Sequence, residues 1–347
     1  MGVLRFLLFV ALAGGLGYAG WYFFDPDRGQ DPESAVRAAL LQTTTTADIS
    51  DRVDRAIKLG QIDEAVMYAD TARFAGIKLR PETDAALANE TTNARKMMRG
   101  TGQFINGLFQ REELSPAGLA GEVTADVTFG SDTPDIATEA GKMRVGIDYD
   151  ELLLSLTLTG LAFEGMNAQA VGGILPARTD LSILKVAKHA GLLTAEFQQN
   201  LLALLRPAVD MPRFRIAVHD IDLSDSGALK PVLADYAKTI PTTAIAPELA
   251  KLAVLRKAAG TGETVLLLHD VRSMNELAEL ARMSTVLGSK ARAVIAITGK
   301  KSLRLFGNGP DYVAMVKANP ISFGAWAGAL ICLIAGWIAL RRGSSAN

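Results

Sequence analysis

A chain of 347 residues, 49% of them apolar, has the material for a large buried core and for membrane spans, which excludes disorder as its dominant state. Lys and Arg total 36 against 37 Asp and Glu; with Arg5, Arg341 and Arg342 set apart at the chain ends, the intervening region carries 33 basic and 37 acidic residues. That mildly acidic balance argues against nucleic acid as a partner, and the one cysteine, Cys332, excludes an intramolecular disulfide and a cysteine-built zinc site.

Residues 1–5 read as a short cytoplasmic N-terminus. From Phe6 to Phe24 run 19 uncharged residues between Arg5 and Asp25, a length that approaches the roughly 30 Å of a bilayer core. Trp21, Tyr22, Phe23 and Phe24 close this run with aromatics suited to a membrane interface. Gly17 and Ala19 would suit a cleaved signal peptide, but aromatics crowd the exit where a cleavage region is small and polar. A second run of 23 uncharged residues, Ala318 to Leu340, ends at Arg341-Arg342 and leaves a tail at 341–347. Positive charge outside both runs predicts two transmembrane helices, 6–24 and 318–340, with both termini cytoplasmic. In a Gram-negative cell this is an inner-membrane protein with its central region in the periplasm. Lys300, Lys301, Arg304 and Lys317, just before the second run, oppose that orientation, though long translocated regions obey the charge rule weakly.

Between the anchors, 25–112 reads as helical. Asp31-Pro32-Glu33 is a helix start, with Pro at the first helical position, and the helix should run to about Gln42. Thr43 to Thr46 interrupt it, with Thr46 or Asp48 available as the next cap. Ile49, Val53, Ala56 and Ile57 keep helical spacing up to Gly60, and Asp63 to Ala75 form the return helix. In this hairpin, 49–75, the run Leu59-Gly60-Gln61-Ile62-Asp63-Glu64-Ala65, followed by Tyr68, Ala69 and Ala72, resembles the second half of a tetratricopeptide repeat. The resemblance covers about 20 residues and has no second copy at the family's 34-residue period. What it implies here is a local helix pair. Pro81 or Thr83 opens a further helix whose register continues towards Phe109.

Region 113–206 is apolar and helical. Within it Val123, Ala125, Val127 and Phe129 alternate with polar residues as a strand would, among helical surroundings. Leu152 to Leu175 is a run of 24 residues whose only charge is Glu164. Three readings fit it: a buried core helix, a helix touching the membrane, and a full span. The core helix is favoured, because Glu164, Asn167 and Gln169 burden a span and a third crossing would put the termini on opposite sides. Region 207–317 reads as helical or mixed. Helices are expected at Leu181–Ala190, Ala195–Leu205, Pro247–Ala259 and Met274–Leu287. Phe214 to Val218, Val265 to Leu268 and Ala293 to Ile297 are short enough to be strands or ends of buried helices. The expected fold class is mainly α, two terminal transmembrane helices flanking a large helix-rich extramembrane domain, with minor β possible.

Chemical signatures are sparse. Of three histidines, His189, His219 and His269, two precede an aspartate, in His219-Asp220 and His269-Asp270. A zinc or acid/base site would need the two pairs to converge, since adjacent side chains point to different sides of an element. Asp220, Asp222 and Asp225 miss the spacing of a calcium loop, with Pro231 where a bidentate Glu belongs. Gly299-Lys300-Lys301-Ser302 lacks the upstream glycine of a phosphate loop. Gly260-Thr261-Gly262 lacks the third glycine of a dinucleotide fingerprint. No catalytic, cofactor-binding or metal-binding residue is assigned and no cofactor is implied. The expected role is that of a non-enzymatic envelope protein with a helical interaction or scaffold domain, its partners being the membrane and other proteins. The alternatives are a lipid-contacting protein acting through 152–175 and an enzyme using His219 or His269.

Overall fold

The computed structural model describes residues 32–92, 115–129, 132–165 and 174–307, together with the single position Ala13. Apart from Ala13, the expected spans at 6–24 and 318–340 lie outside the described residues, and among the described residues no helix is long and apolar enough to cross a membrane. The chain divides into two compact units, Val36–Phe306 and a second made of Met1–Ala35 with Gly307–Asn347.

Every regular element among the described residues is helical. In chain order they are α1 (Pro32–Thr43), α2 (Thr46–Lys58), α3 (Ile62–Ala75), α4 (Pro81–Glu90), α5 (Pro116–Phe129), α6 (Asp132–Arg144), α7 (Glu151–Gly165) and α8 (Ile174–His189). Then come α9 (Ala195–Leu205), α10 (Met211–Ala217), α11 (Ser226–Ala237), α12 (Ala246–Ala259), α13 (Thr261–Leu267), α14 (Met274–Leu287), α15 (Lys290–Thr298) and α16 (Lys301–Arg304). Short 3₁₀ turns cover Thr242–Ala244 and Leu268–Asp270.

The segments whose spacing fits either a strand or a helix are therefore helix. Val123 to Phe129 closes α5, Phe214 and Ile216 lie on α10, Val265 to Leu267 on α13 and Ala293 to Ile297 on α15. The reason is burial. On α15, for instance, Ala291, Ala293, Val294 and Ile295 are all buried, so apolar residues occupy consecutive positions and the 3.6-residue period is lost.

The helix pair forms as the spacing predicts, with a different cap. Thr45, not Thr46 or Asp48, starts α2: its hydroxyl accepts from the Asp48 N–H at 3.2 Å, and the Asp48 carboxylate accepts from the Thr45 N–H at 3.0 Å. This reciprocal arrangement satisfies two donors that a helix start leaves free. At the far end Gly76 takes the left-handed conformation, φ 74°, that closes α3. Pro81 opens α4, and the Arg80 guanidinium donates to Asp51 and Asp54 at 2.7 Å each, pinning that entrance to α2. Val53, Ala56, Ala65, Tyr68, Ala69 and Leu87 form a small apolar cluster of their own, which Ala293 of α15 joins. The continuation towards Phe109 lies outside the described residues.

The main core is built around α8, which packs on α5, α7, α12 and α13. Helix α7 in turn packs on α6, α9 and α11, and α12 lies along α14. Leu152, Leu154, Leu156, Leu158 and Ala162 of α7 are buried together with Ser155, Thr157 and Thr159, so this helix has no polar face. Over 151–165 it is the buried core helix, while 166–173 lie outside the described residues.

Helix α13 meets α5 at a contact that admits no side chain, since a Cβ on Gly262 would stand 1.7 Å from the carbonyl oxygen of Pro116. Backbone cannot yield cheaply there, so Gly262→Ala should destabilise the protein by roughly 2–3 kcal/mol, as other overpacked sites do. Gly160→Ala on α7 is the control: its methyl meets nothing within 4 Å, and the gain in helix propensity over glycine, about 1 kcal/mol, should leave stability equal or higher. Chemical denaturation of both variants measures the contrast.

Candidate functional site: a buried charge cluster and an open cleft

Sequence Leu181-Ser-Ile-Leu-Lys-Val-Ala187 places one lysine inside an apolar run on α8. Lys185 is 2% exposed, and a buried ammonium must find carboxylates or lose its charge. It finds them on two other helices. Its Nζ donates to Asp126 Oδ1 of α5 at 2.8 Å and to Asp132 Oδ1 of α6 at 2.7 Å, with Asp135 Oδ2 at 3.6 Å. Arg178 adds a second cation, 2.8 Å from Glu164 and 3.7 Å from the other oxygen of Asp132. Asp132 and Asp135 stand in the first turn of α6, where free N–H groups favour negative charge. Burial works against the Lys185 ammonium, but Asp132 and Asp126 outweigh it and hold its pKa above the ordinary value. Asp135 is different. Its buried Oδ2 lacks a hydrogen-bond partner, and burial pushes its carboxyl up despite the nearby Lys185 and His189.

Two further ion pairs join helices across the core. Asp180 of α8 accepts from Arg256 of α12 at 2.7 Å, and Glu263 of α13 accepts from both Nε and Nη2 of Arg292 of α15, at 2.7 and 3.3 Å. Burial pushes Asp180 up to about 6, against the pull of Arg256.

One cavity, of about 250 Å³, lies beside the cluster and is lined by Thr133, Leu161 and Glu164; others open around the Asp148-Tyr149-Asp150-Glu151 segment that leads into α7. Two cavities of about 280 and 460 Å³ share Asp148, Tyr149 and Glu151. Most of the charge here is committed. The Arg206 guanidinium donates to both oxygens of Glu151, at 2.8 and 2.7 Å, and lowers the Glu151 pKa; Lys188 stands 2.9 Å from Asp150. What lines the two cavities is a mixture of paired ions and apolar side chains such as Met143, Ile147, Leu152 and Leu202.

The residues that the sequence singles out lie away from this cleft's lining. His219 Nδ1 is 2.7 Å from Asp220 Oδ1, and both side chains are exposed. His269 is exposed in the 3₁₀ turn after α13, and His189 is exposed at the end of α8. Among the described residues, no three His, Cys, Asp or Glu side chains converge as a metal site would require. Asp222 accepts from the Ser224 N–H and hydroxyl, and Asp225 caps α11 by accepting from the Gly227 and Ala228 N–H groups, so both carboxylates hold a turn. Gly299 ends α15, Lys300 pairs with Glu276 at 2.8 Å, and Gly260 separates α12 from α13. The Lys185 cluster is what the sequence reading missed. Its one visible signal is the cation among Leu181, Ile183, Leu184 and Val186, which demands partners without naming them. Comparison with known protein families, curated proteins and solved structures finds no match to this chain.

The Asp180 carboxyl has a pH signature of definite sign. Its folded pKa, about 6, lies above its ordinary 3.8. Its contribution to stability is therefore complete below that ordinary value and is lost as pH rises to the folded one. An asparagine keeps an acceptor for Arg256 without the charge. Asp180→Asn should gain on the natural chain by about 2–3 kcal/mol between pH 4 and 7, at 1.36 kcal/mol per pKa unit. Denaturant titrations of both chains across that range test this; a difference that stays flat or shrinks contradicts it.

Proposed function

We propose that the chain is a non-enzymatic envelope protein, held in the inner membrane by helices at 6–24 and 318–340, whose helical region binds protein partners. The observation that carries this reading is the pair of long uncharged runs at the two ends, each with arginine on its outer side. The character of the region between them supports it. Buried charges there are spent joining helices, as at Lys185, Asp180 and Glu263. The open cavities are lined by ion pairs and apolar side chains, a composition suited to contact surfaces.

Orientation provides the test. A reporter enzyme active only in the periplasm should work when fused at Gln110 and fail when fused after Asn347. Activity at both positions, or at neither, would overturn the two-span arrangement.

A further inference from the structure

Three large apolar side chains stand unusually exposed on neighbouring elements. Val145 and Ile147, 67% and 61% exposed, flank Gly146 in the turn that leaves α6. Ile216, 78% exposed, is on α10, a short helix packed against α6, and the residue before it, Arg215, lines the same cavity as Ile147. The turn is held in place, because Met143 beneath it is buried and Arg144 donates to the backbone carbonyl of Ile221 at 2.8 Å. A surface already ordered before binding loses little entropy on association.

The charges of that cavity indicate the occupant. Glu151 is taken by Arg206, but among the described residues Arg215 and Asp148 make no ion pair, although both line the cavity. One free cation and one free carboxylate beside an apolar trio make a surface complementary to itself. Two copies related by a two-fold axis would set Arg215 of each against Asp148 of the other and cover both trios. A lipid surface would accept the apolar side chains and Arg215, yet leave the Asp148 carboxylate desolvated without a partner.

We propose that the surface formed by Val145, Ile147, Asp148, Arg215 and Ile216 is where two copies of this chain associate. This rests on the reading of the helical region as protein-binding, and names one partner for it.

The test uses the full chain in its own membrane, with a photo-crosslinking amino acid in place of Ile216. Irradiation should give an adduct of twice the chain mass that yields peptides of this chain alone. Arg215→Asp or Asp148→Arg should each cut that adduct by about tenfold, through like-charge repulsion across the interface. The double exchange, Arg215→Asp with Asp148→Arg, should restore it, a recovery that misfolding or a merely local role would not give. An adduct with a different protein would overturn self-association and leave the protein-binding reading standing. An adduct with lipid, or no adduct, would overturn self-association and count against both, and singles that do not respond or a double that does not recover would overturn the proposed pairing.

Discussion

The ammonium of Lys185 is the point on which the helical region turns. It lies in the last turns of α8, the helix against which α5, α7, α12 and α13 all pack, and it reaches carboxylates on both α5 and α6. Charge burial is costly, and in other proteins removing one partner of such a pair has cost about 3–5 kcal/mol because the other is left uncompensated. Each of these groups is therefore tolerable only in the presence of the others, so the three helices must arrive together. Apolar contacts alone would not impose this. Helix α7 is buried on all sides, and leucines at 152, 154, 156 and 158 offer little to choose between one rotational setting and the next. The ion pairs of Glu164 with Arg178 at 2.8 Å and of Glu151 with Arg206 at 2.7 Å, one at each end of α7, do distinguish them.

The same logic recurs at smaller scale along the chain. Asp180 with Arg256, Glu263 with Arg292, Glu151 with Arg206 and Glu276 with Lys300 each join two elements that are distant in sequence. A balanced composition, 36 basic against 37 acidic residues, is thus partly used up within the fold. Arg215 and Asp148, among the described residues, make no ion pair, and they line the cavity beside the exposed Ile147.

How much of this could be read from the chain depends on the range of the interaction responsible. Ala195–Leu205 and Met274–Leu287 begin after Thr194 and Ser273, which cap them, and these boundaries are local facts that the sequence displays directly. The cap of α2 is Thr45 rather than Thr46 or Asp48, because four consecutive threonines offer equivalent hydroxyls and only the reciprocal bond to Asp48 selects Thr45. Val123, Ala125, Val127 and Phe129 imitate a strand because α5 packs against both α8 and α13, so its apolar residues are not confined to one helical stripe. The Lys185 cluster spans 59 and 53 positions to Asp126 and Asp132, and the Asp180 pair spans 76 to Arg256. No periodicity reports a contact of that separation; it follows only from tertiary packing. The histidines attracted attention for the opposite reason. Residue type suggested chemistry, but the side chains of His219 and Asp220 pair with each other at the surface, both exposed.

A strongly shifted carboxyl is often a sign of catalysis, and here the geometry argues otherwise for Asp180. A general acid or base must reach a substrate or water in a cavity, whereas Asp180 is 1% exposed and faces Arg256 within the packing of α8 on α12. Its shift comes from burial, which is the expected cost of placing a charge between helices. Structural ion pairs perturb titration as surely as active sites do. The cleft beside Tyr149 shows the converse arrangement: it is open, and its Glu151 is held low by Arg206, fully charged and already bonded through both oxygens. Burial raises the Asp180 carboxyl in the core, and an arginine lowers the Glu151 carboxyl at the surface; in both the shift accompanies an ion pair that joins two elements.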